Sequence, residues 1–371
     1  MHRGRGKCPL RTCRLLNVYL IMDWKKIMKD WMLPIAMVTG ASLYGLYHVM
    51  PAPVHAAGPF LDGLIGVVQP LLIFAMLFLT FCRIEPKDLK PHRWHWWLLL
   101  IQGGLFVGLG LLAAWMLRAF PGDSGDMLVL IQSAMLCLIC PTATAAAVVT
   151  RKLGGDVAGI TTYTVLINLL TAVLVPLVVP LVQPMAGIDF WTAFCIIMAK
   201  IFPLLIMPCL AAWIVRYLAP GVHRKLLRYP DLAFYLWAVA LTLAISMTTR
   251  SIMQSSMSVR LLLTMGLISL VCCVFQFAMG RFVGNCYKPR DREIATGLSP
   301  RNDELLSVKA VEMRARQIRK VTAGQSLGQK NTVFAIWMGY TFMIPETAIV
   351  GGFYCIWHNL YNSWQLYRAG K

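Results

Sequence analysis

Hydrophobic residues fall into ten blocks, which short polar or charged segments separate. A run of about 20 apolar residues is long enough for an α-helix to cross the hydrocarbon core of a bilayer. The pattern therefore predicts an all-α polytopic membrane protein with ten transmembrane helices. The predicted spans are Met32–Val49, Leu61–Cys82, Trp94–Leu117, Leu128–Thr150, Val157–Val182, Phe190–Leu218, Leu232–Met247, Leu261–Val283, Val321–Phe342 and Thr347–Leu366.

Two of the ten spans contain residues that interrupt a membrane helix. The fourth span carries Pro141, which removes a backbone donor and clashes with the preceding turn. The ninth span carries Gly324–Thr332, GQSLGQKNT, in which two glycines accompany polar residues. Ten spans divide into two inverted repeats of five, so the interruptions occupy matching positions. Matching interrupted spans are typical of the binding site of a secondary transporter.

Composition and charge agree with a membrane location. Hydrophobic residues make up 58% of the chain and charged residues 14%, whereas soluble domains carry about 25% charged residues. The net charge of +19 does not indicate nucleic-acid binding, because Lys and Arg concentrate in the predicted inner loops. The predicted outer loops Pro51–Pro59 and Ser251–Val259 contain none. Both termini are therefore predicted to be cytoplasmic, in the inner or plasma membrane.

Lys330 is the most unusual residue of the ninth span. A charge at the centre of a membrane helix costs roughly 3 kcal/mol on the insertion scale, so it indicates a functional site. We expect the N-termini of the half-helices to direct their partial positive charge at the crossing of the fourth and ninth spans. Together with Lys330, this arrangement favours an anionic substrate such as a carboxylate.

Several motifs resemble those of the bile acid:sodium symporter family. Cys140–Leu170 resembles its fourth and fifth spans, and Trp357–His358–Asn359 resembles a motif of its last span. The resemblance, to a divergent bacterial-type member, extends over residues 33–366. The matching positions are Cys140–Pro141, Thr144–Ala145, Thr150, Gly155–Asp156–Val157–Ala158, Thr164 and Gln102.

The resemblance implies a division into a core domain and a panel domain. Broken helices 4 and 9 would cross in the core, and the substrate would bind in the cleft between the domains. The implied segments are an N-terminal cytoplasmic segment 1–31, panel helices 1–2 in 32–82, core helices 3–5 in 83–183, panel helices 6–7 in 184–250, core helices 8–10 in 251–366 with the basic cytoplasmic loop 284–320, and a tail 367–371.

The sequence departs from the family pattern at the implied sodium sites. Ala146–Ala147 replace a Ser-Asn pair, and Ile160 replaces a serine. Gln325 replaces a glutamate and Lys330 an asparagine, while Gln329 is retained. We therefore expect the positive charge of the Lys330 ammonium group to replace that of a bound sodium ion. Transport would then be facilitated, or coupled to protons through Lys330, rather than coupled to sodium in the family's usual way.

The sequence thus predicts two groups of site residues. No catalytic residue, metal ligand or cofactor is predicted, and sodium binding is disfavoured. The expected partners are an organic anion and the lipid bilayer, with no nucleic acid. The predicted substrate-binding residues are Thr144, Ala145, Lys330, Asn331, His358 and Asn359, and the predicted ion-site or crossing residues are Gln102, Thr164, Gln325, Gln329 and Lys330.

Three other functions remain open at this level. A cation/proton antiporter is disfavoured because the fourth span and the ninth span contain no Asp or Glu. A membrane-embedded enzyme is disfavoured because His92, His95, Asp88 and Glu85 cluster in one inner loop without the spacing of metal ligands, as expected of a solvated loop. A non-transporting membrane sensor would bind a ligand without flux. Lys200, in the sixth span, either lines the cleft or pairs with a polar group.

Overall fold

The computed structural model describes residues 31–32, 34–51, 57–120, 125–229, 231–255, 257–287 and 304–369. Residues 1–30 of the predicted N-terminal segment, the middle of the loop 284–320 and the last two residues of the predicted tail lie outside these ranges. All regular elements within them are helices, with no β-strand.

Fourteen helices are labelled here in chain order among the described residues. Two short 3-10 segments, Pro86–Asp88 and Pro345–Thr347, lie between them. The helices are α1 (34–49), α2 (Gly58–Phe81), α3 (Arg93–Ala119), α4 (Gly125–Ile139), α5 (Ala146–Lys152), α6 (Val157–Val182), α7 (Phe190–Leu205), α8 (Met207–Leu218), α9 (Pro220–Leu227), α10 (Leu232–Gln254), α11 (Val259–Cys286), α12 (Glu304–Gly328), α13 (Thr332–Phe342) and α14 (Ala348–Ala369).

Six of these elements are long and apolar enough to cross a membrane: α2, α3, α6, the α7–α8 pair, α10 and α11. Helices α4 and α13 are apolar but shorter. Many large apolar side chains point outward, for example Leu100, Leu111 and Val271, each more than half exposed. An apolar surface of this extent is expected where lipid rather than water surrounds the helices.

Both predicted helix interruptions are present, but the second is shorter than the sequence suggested. Helix α4 ends at Ile139 and α5 begins at Ala146, on either side of Pro141. In the ninth predicted span, helix α12 continues through Gly324 to Gly328, and only residues 329–331 separate it from α13. The expected interruption within 324–332 is therefore present but is confined to three residues.

The glycines of α12 serve helix packing instead. A Cβ atom at Gly328 would lie 2.4 Å from the ring of Phe277 on α11. The partner helix uses glycine in the same way: a Cβ atom at Gly280 would lie 2.4 Å from the carbonyl oxygen of Ala323, and one at Gly284 2.5 Å from that of Arg319. Helices α11 and α12 thus approach each other at backbone distance, which only small residues allow.

Other helix ends also differ from the sequence prediction. The sixth span is two helices that meet at Ile206, where Pro203 and Pro208 disturb the backbone hydrogen bonds. Helix α9 lies in a predicted inner loop, and its buried His223 contacts the carbonyl oxygen of Cys82 at 2.7 Å. Helix α10 continues past Met247 to Gln254. Its last turns are polar, so hydropathy does not mark where it ends.

Candidate functional site

The two interrupted segments lie against each other and satisfy each other's backbone. Thr142 and Lys330 form an isolated antiparallel β-bridge. The amide of Ala143 donates to the carbonyl oxygen of Gln329 at 2.9 Å, and the amide of Asn331 donates to that of Pro141 at 2.8 Å. Backbone that leaves a helix inside a membrane needs such partners, because lipid offers none. We call residues 140–145 and 329–331 the crossing.

The side chain of Lys330 is buried at the crossing and is only 1% exposed. Its Nζ donates a hydrogen bond of 3.2 Å to the carbonyl oxygen of Leu138, in the last turn of α4. A helix C-terminus carries partial negative charge, so a cation is favourable there. The Lys330 ammonium group thus faces a carbonyl oxygen at a helix C-terminus.

Three other side chains satisfy the remaining carbonyl oxygens at the end of α4. Gln102 of α3 donates through Nε2 to Ile139 at 3.2 Å and to Cys140 at 3.1 Å. Thr171 of α6 also donates to Ile139, and Gln276 of α11 donates to Cys137. The last carbonyl oxygens of a helix have no donor within the helix, and these side chains supply donors to them.

A second set of hydrogen bonds holds the ends of α12 and α13. The hydroxyl of Thr142 donates to the carbonyl oxygen of Ser326, and that of Tyr354 donates to the carbonyl oxygen of Gly328, both at 2.8 Å. Asn331 caps α13, since its Oδ1 accepts from the amide of Phe334 at 3.2 Å. The crossing is therefore a densely bonded structure to which α3, α6, α11 and α14 all contribute.

The predicted substrate-binding residues occupy two different environments. Thr144 is half-buried and Ala145 is exposed, so the start of α5 is accessible. Asn331 and His358 are buried, and the His358 ring stands edge-on to the ring of Tyr354. Asn359 is half-buried and donates to the carbonyl oxygen of Cys355 in its own helix.

The predicted ion-site residues have protein partners, but the Oε1 atoms of Gln325 and Gln329 are buried without one. Thr164 donates to the carbonyl oxygen of Ile160 in its own helix at 2.9 Å. Gln325 donates to Oδ1 of Asn362 at 3.0 Å, and the backbone of Gln329 belongs to the crossing. Within the described ranges, no group of three or more His, Cys, Asp or Glu side chains is placed to hold a metal ion.

Comparison with known proteins supplies the family. A sequence model of the sodium bile acid symporter family matches residues 70–281, which is more than half of the chain. The chain belongs to this family. It is accordingly an integral membrane protein of a transporter family.

The extent of the family match separates two parts of the site. The matched residues include α4, α5 and α6 and thus Gln102, Thr144 and Thr164. The match ends within α11, before Gln325 and Lys330. No curated protein matches the chain.

Several residues that surround the crossing were not predicted. Tyr163 donates to Oε1 of Gln102 at 2.8 Å, and Thr171, Gln276 and Tyr354 also contact the interrupted helices. The available signal was a polar side chain within an apolar span, as for Gln276 in VCCVFQFAMG. That signal alone does not distinguish a functional residue from polar contacts between helices.

Lys200 links the sixth predicted span to the second half of the ninth. Its side chain is exposed, and its Nζ lies 5.7 Å from the centroid of the Phe342 ring, at the end of α13. This distance is within the range of a cation–π interaction. His95, which the sequence placed in a solvated loop, is instead buried in the first turn of α3 and contacts the carbonyl oxygen of Gly159 at 3.0 Å.

Proposed function

We propose that the protein is a secondary transporter of a small organic anion, a bile acid or another carboxylate, that works by alternating access. The observation that carries this proposal is the β-bridge between Thr142 and Lys330, where two interrupted helices meet with a buried cation. An interruption destabilises a membrane helix, and in secondary transporters paired interrupted helices form the substrate site. Membership of a transporter family supports transport over catalysis.

The proposed architecture is ten spans in two inverted repeats, with both termini cytoplasmic in the cell membrane. The proposed core comprises spans 3–5 and 8–10, and its support is that α4 packs on α3 and α11 while α11 packs on α12 and α14. The proposed panel comprises spans 1, 2, 6 and 7, and α2 packs on α8 and α10. The substrate would bind in the cleft beside Thr144 and Ala145, which are accessible.

Transport in this proposal does not depend on sodium. The Lys330 side-chain nitrogen is 3.2 Å from the carbonyl oxygen of Leu138, so a basic group of the protein already occupies this end of α4. A sodium ion beside it would be repelled. At the other predicted ion position, Gln325 offers a neutral amide in place of a carboxylate. The driving force is then the anion gradient alone or a proton gradient.

Transport assays in proteoliposomes test the proposal. A thermal-shift screen of organic acids on the purified protein first identifies a ligand. Its uptake is then measured in sodium and in choline buffers, each with and without a pH gradient. We expect saturable uptake that is equal in the two cations. Uptake that rises steeply with sodium contradicts the coupling, and ligand binding without any flux favours a sensor.

A further inference from the structure

A cluster of buried amides lies between α12 and α14, one turn of helix before the crossing. Gln325 Nε2 donates to Asn362 Oδ1 at 3.0 Å and to Gln365 Oε1 at 3.4 Å. All three side chains are buried, with 1%, 4% and 7% of their surface exposed. Arg281 of α11 joins the cluster, since its Nη1 donates to the same Gln365 Oε1 at 3.4 Å. We call these four residues the amide cluster.

Glycine brings the arginine into place. A Cβ atom at Gly324 would lie 2.7 Å from Cγ of Arg281, so the aliphatic part of the arginine lies directly on the backbone of α12. Any larger residue at position 324 would displace it. The guanidinium group therefore reaches the amides from a neighbouring helix along a defined path.

The cluster has more hydrogen-bond donors than acceptors. Nδ2 of Asn362 and Nε2 of Gln365 are both buried without a partner. Arg281 brings five N–H donors and forms no ion pair with any carboxylate in the part of the chain that the structure describes. One acceptor, Gln325 Oε1, is also buried without a partner, because Nε2 of the same amide faces the oxygens of Asn362 and Gln365.

We propose that the amide cluster binds a small monovalent anion, either chloride or a carboxylate group. Buried polar groups in proteins nearly always have partners, so two orphan N–H donors beside an arginine without an ion pair indicate an acceptor with negative charge. An anion accepts from Arg281, Asn362 and Gln365 and neutralises the guanidinium group. The site differs from the crossing, where Lys330 already has a partner.

The identity of residue 325 fits this role. A glutamate at that position would place its own carboxylate among Arg281, Asn362 and Gln365, and no free anion would be needed. The neutral Gln325 supplies no negative charge of its own to Arg281. The chain thus offers a variant, Gln325→Glu, in which a tethered carboxylate replaces the bound anion.

Thermal stability of the purified full-length protein tests the site without any transport assay. Choline chloride and choline acetate are titrated against choline gluconate at constant ionic strength, which keeps general screening unchanged. Gluconate serves as the reference because the long hydroxylated chain on its carboxylate is too large for a site enclosed by buried side chains. We expect a saturable rise in Tm of about 4 °C or more with chloride or acetate, because binding to the folded state alone stabilises it. The chloride and acetate arms show which anion binds more tightly.

Two variants and one control make the result decisive. Arg281→Gln should abolish the anion-dependent rise, and Gln325→Glu should raise Tm in gluconate and remove the response. Arg260→Gln removes an exposed charge at the other end of the same helix and should respond like the wild type. If Arg281→Gln does not fold, Gln325→Glu decides alone.

A wild-type protein without a saturable response, or an undiminished response in Gln325→Glu, overturns the proposal and leaves water as the partner of the orphan amides. Because the measurement is of binding, its outcome is independent of whether the protein transports an organic anion.

Discussion

The ammonium group of Lys330 lies 3.2 Å from the carbonyl oxygen of Leu138 and closes the C-terminus of α4. The two residues are 192 positions apart in the chain, so the contact joins the two interrupted spans by charge as well as by backbone hydrogen bonds. A change at Lys330 should therefore act on the geometry of the whole crossing.

The substitution Lys330→Met should reduce uptake much more than stability. Methionine has nearly the same shape, and removing a buried charge offsets the cost of about 1–3 kcal/mol for leaving the Leu138 carbonyl without a partner. We expect Tm to change little and uptake to fall about 10-fold or more, which corresponds to the loss of about 1.4 kcal/mol of interaction. Purified protein and proteoliposomes give the two measurements.

Lys200→Met is the matched control for this substitution. It removes a lysine from another membrane span, but one whose side chain is exposed. We expect uptake within about twofold of the wild type, since an exposed cation–π contact contributes about 0.5–1 kcal/mol. Equal losses of uptake in the two variants would contradict a special role for Lys330.

Gln102→Leu should destabilise the protein more than Tyr163→Phe. Leucine leaves the carbonyl oxygen of Cys140 and the hydroxyl of Tyr163 without partners and removes one of the two donors to Ile139, whereas phenylalanine removes one bond. We expect losses of about 2–4 kcal/mol and about 1 kcal/mol in the free energy of unfolding. Tm values of the single and double variants provide the comparison. A double variant no worse than Gln102→Leu would show that the two residues act as one network.

Gly280→Ala should destabilise the packing of α11 on α12. The added methyl group would lie 2.4 Å from the carbonyl oxygen of Ala323, so the helices must separate. Gly108→Ala in α3 is the control, because a Cβ atom there meets nothing within 4 Å. We expect a lower Tm for the first variant, and a neutral or slightly higher Tm for the second because alanine favours helix by about 1 kcal/mol. Similar Tm values for both would disprove the close contact.

Substitutions of Asn331 separate helix capping from electrostatics. Asn331→Ala removes the cap of α13 and should cost about 1 kcal/mol of stability. Asn331→Asp retains the capping oxygen, so Tm should be preserved, but its charge beside Lys330 should weaken binding of an anionic substrate. Binding affinity from thermal shift and uptake from proteoliposomes test both. Normal affinity in Asn331→Asp would place the anion away from the crossing.

The sequence predicted the existence and the place of the interruptions better than their extent. Pro141 marked the break in the fourth span because proline has one local effect in a helix, loss of a donor with a steric clash. Gly324 and Gly328 were ambiguous, since glycine both weakens a helix and permits close packing. The packing partners, Arg281 and Phe277, lie on α11, about 50 residues away in the chain, and no local pattern reveals them.

The residues that complete the crossing were hidden for a similar reason. Gln102 was found only through resemblance to the family, and Tyr163, which donates to it, was not found at all. The sequence of an apolar span does not show which neighbouring helix the hydroxyl of its tyrosine contacts. Only the tertiary arrangement of α3 and α6 around the end of α4 identifies its partner.

The close packing of α11 and α12 has a mechanical consequence. Helix α12 has 25 residues without a break, about 37 Å in length, and its backbone at Arg319 and Ala323 lies against Gly284 and Gly280 of α11. The pair should behave as a stiff lever that is joined to α13 through residues 329–331. We expect spin labels on α11 and α12 to keep a constant separation when substrate is added. A movement of α12 at Arg314 and Arg316, far from the crossing, would then be transmitted along the helix to Lys330.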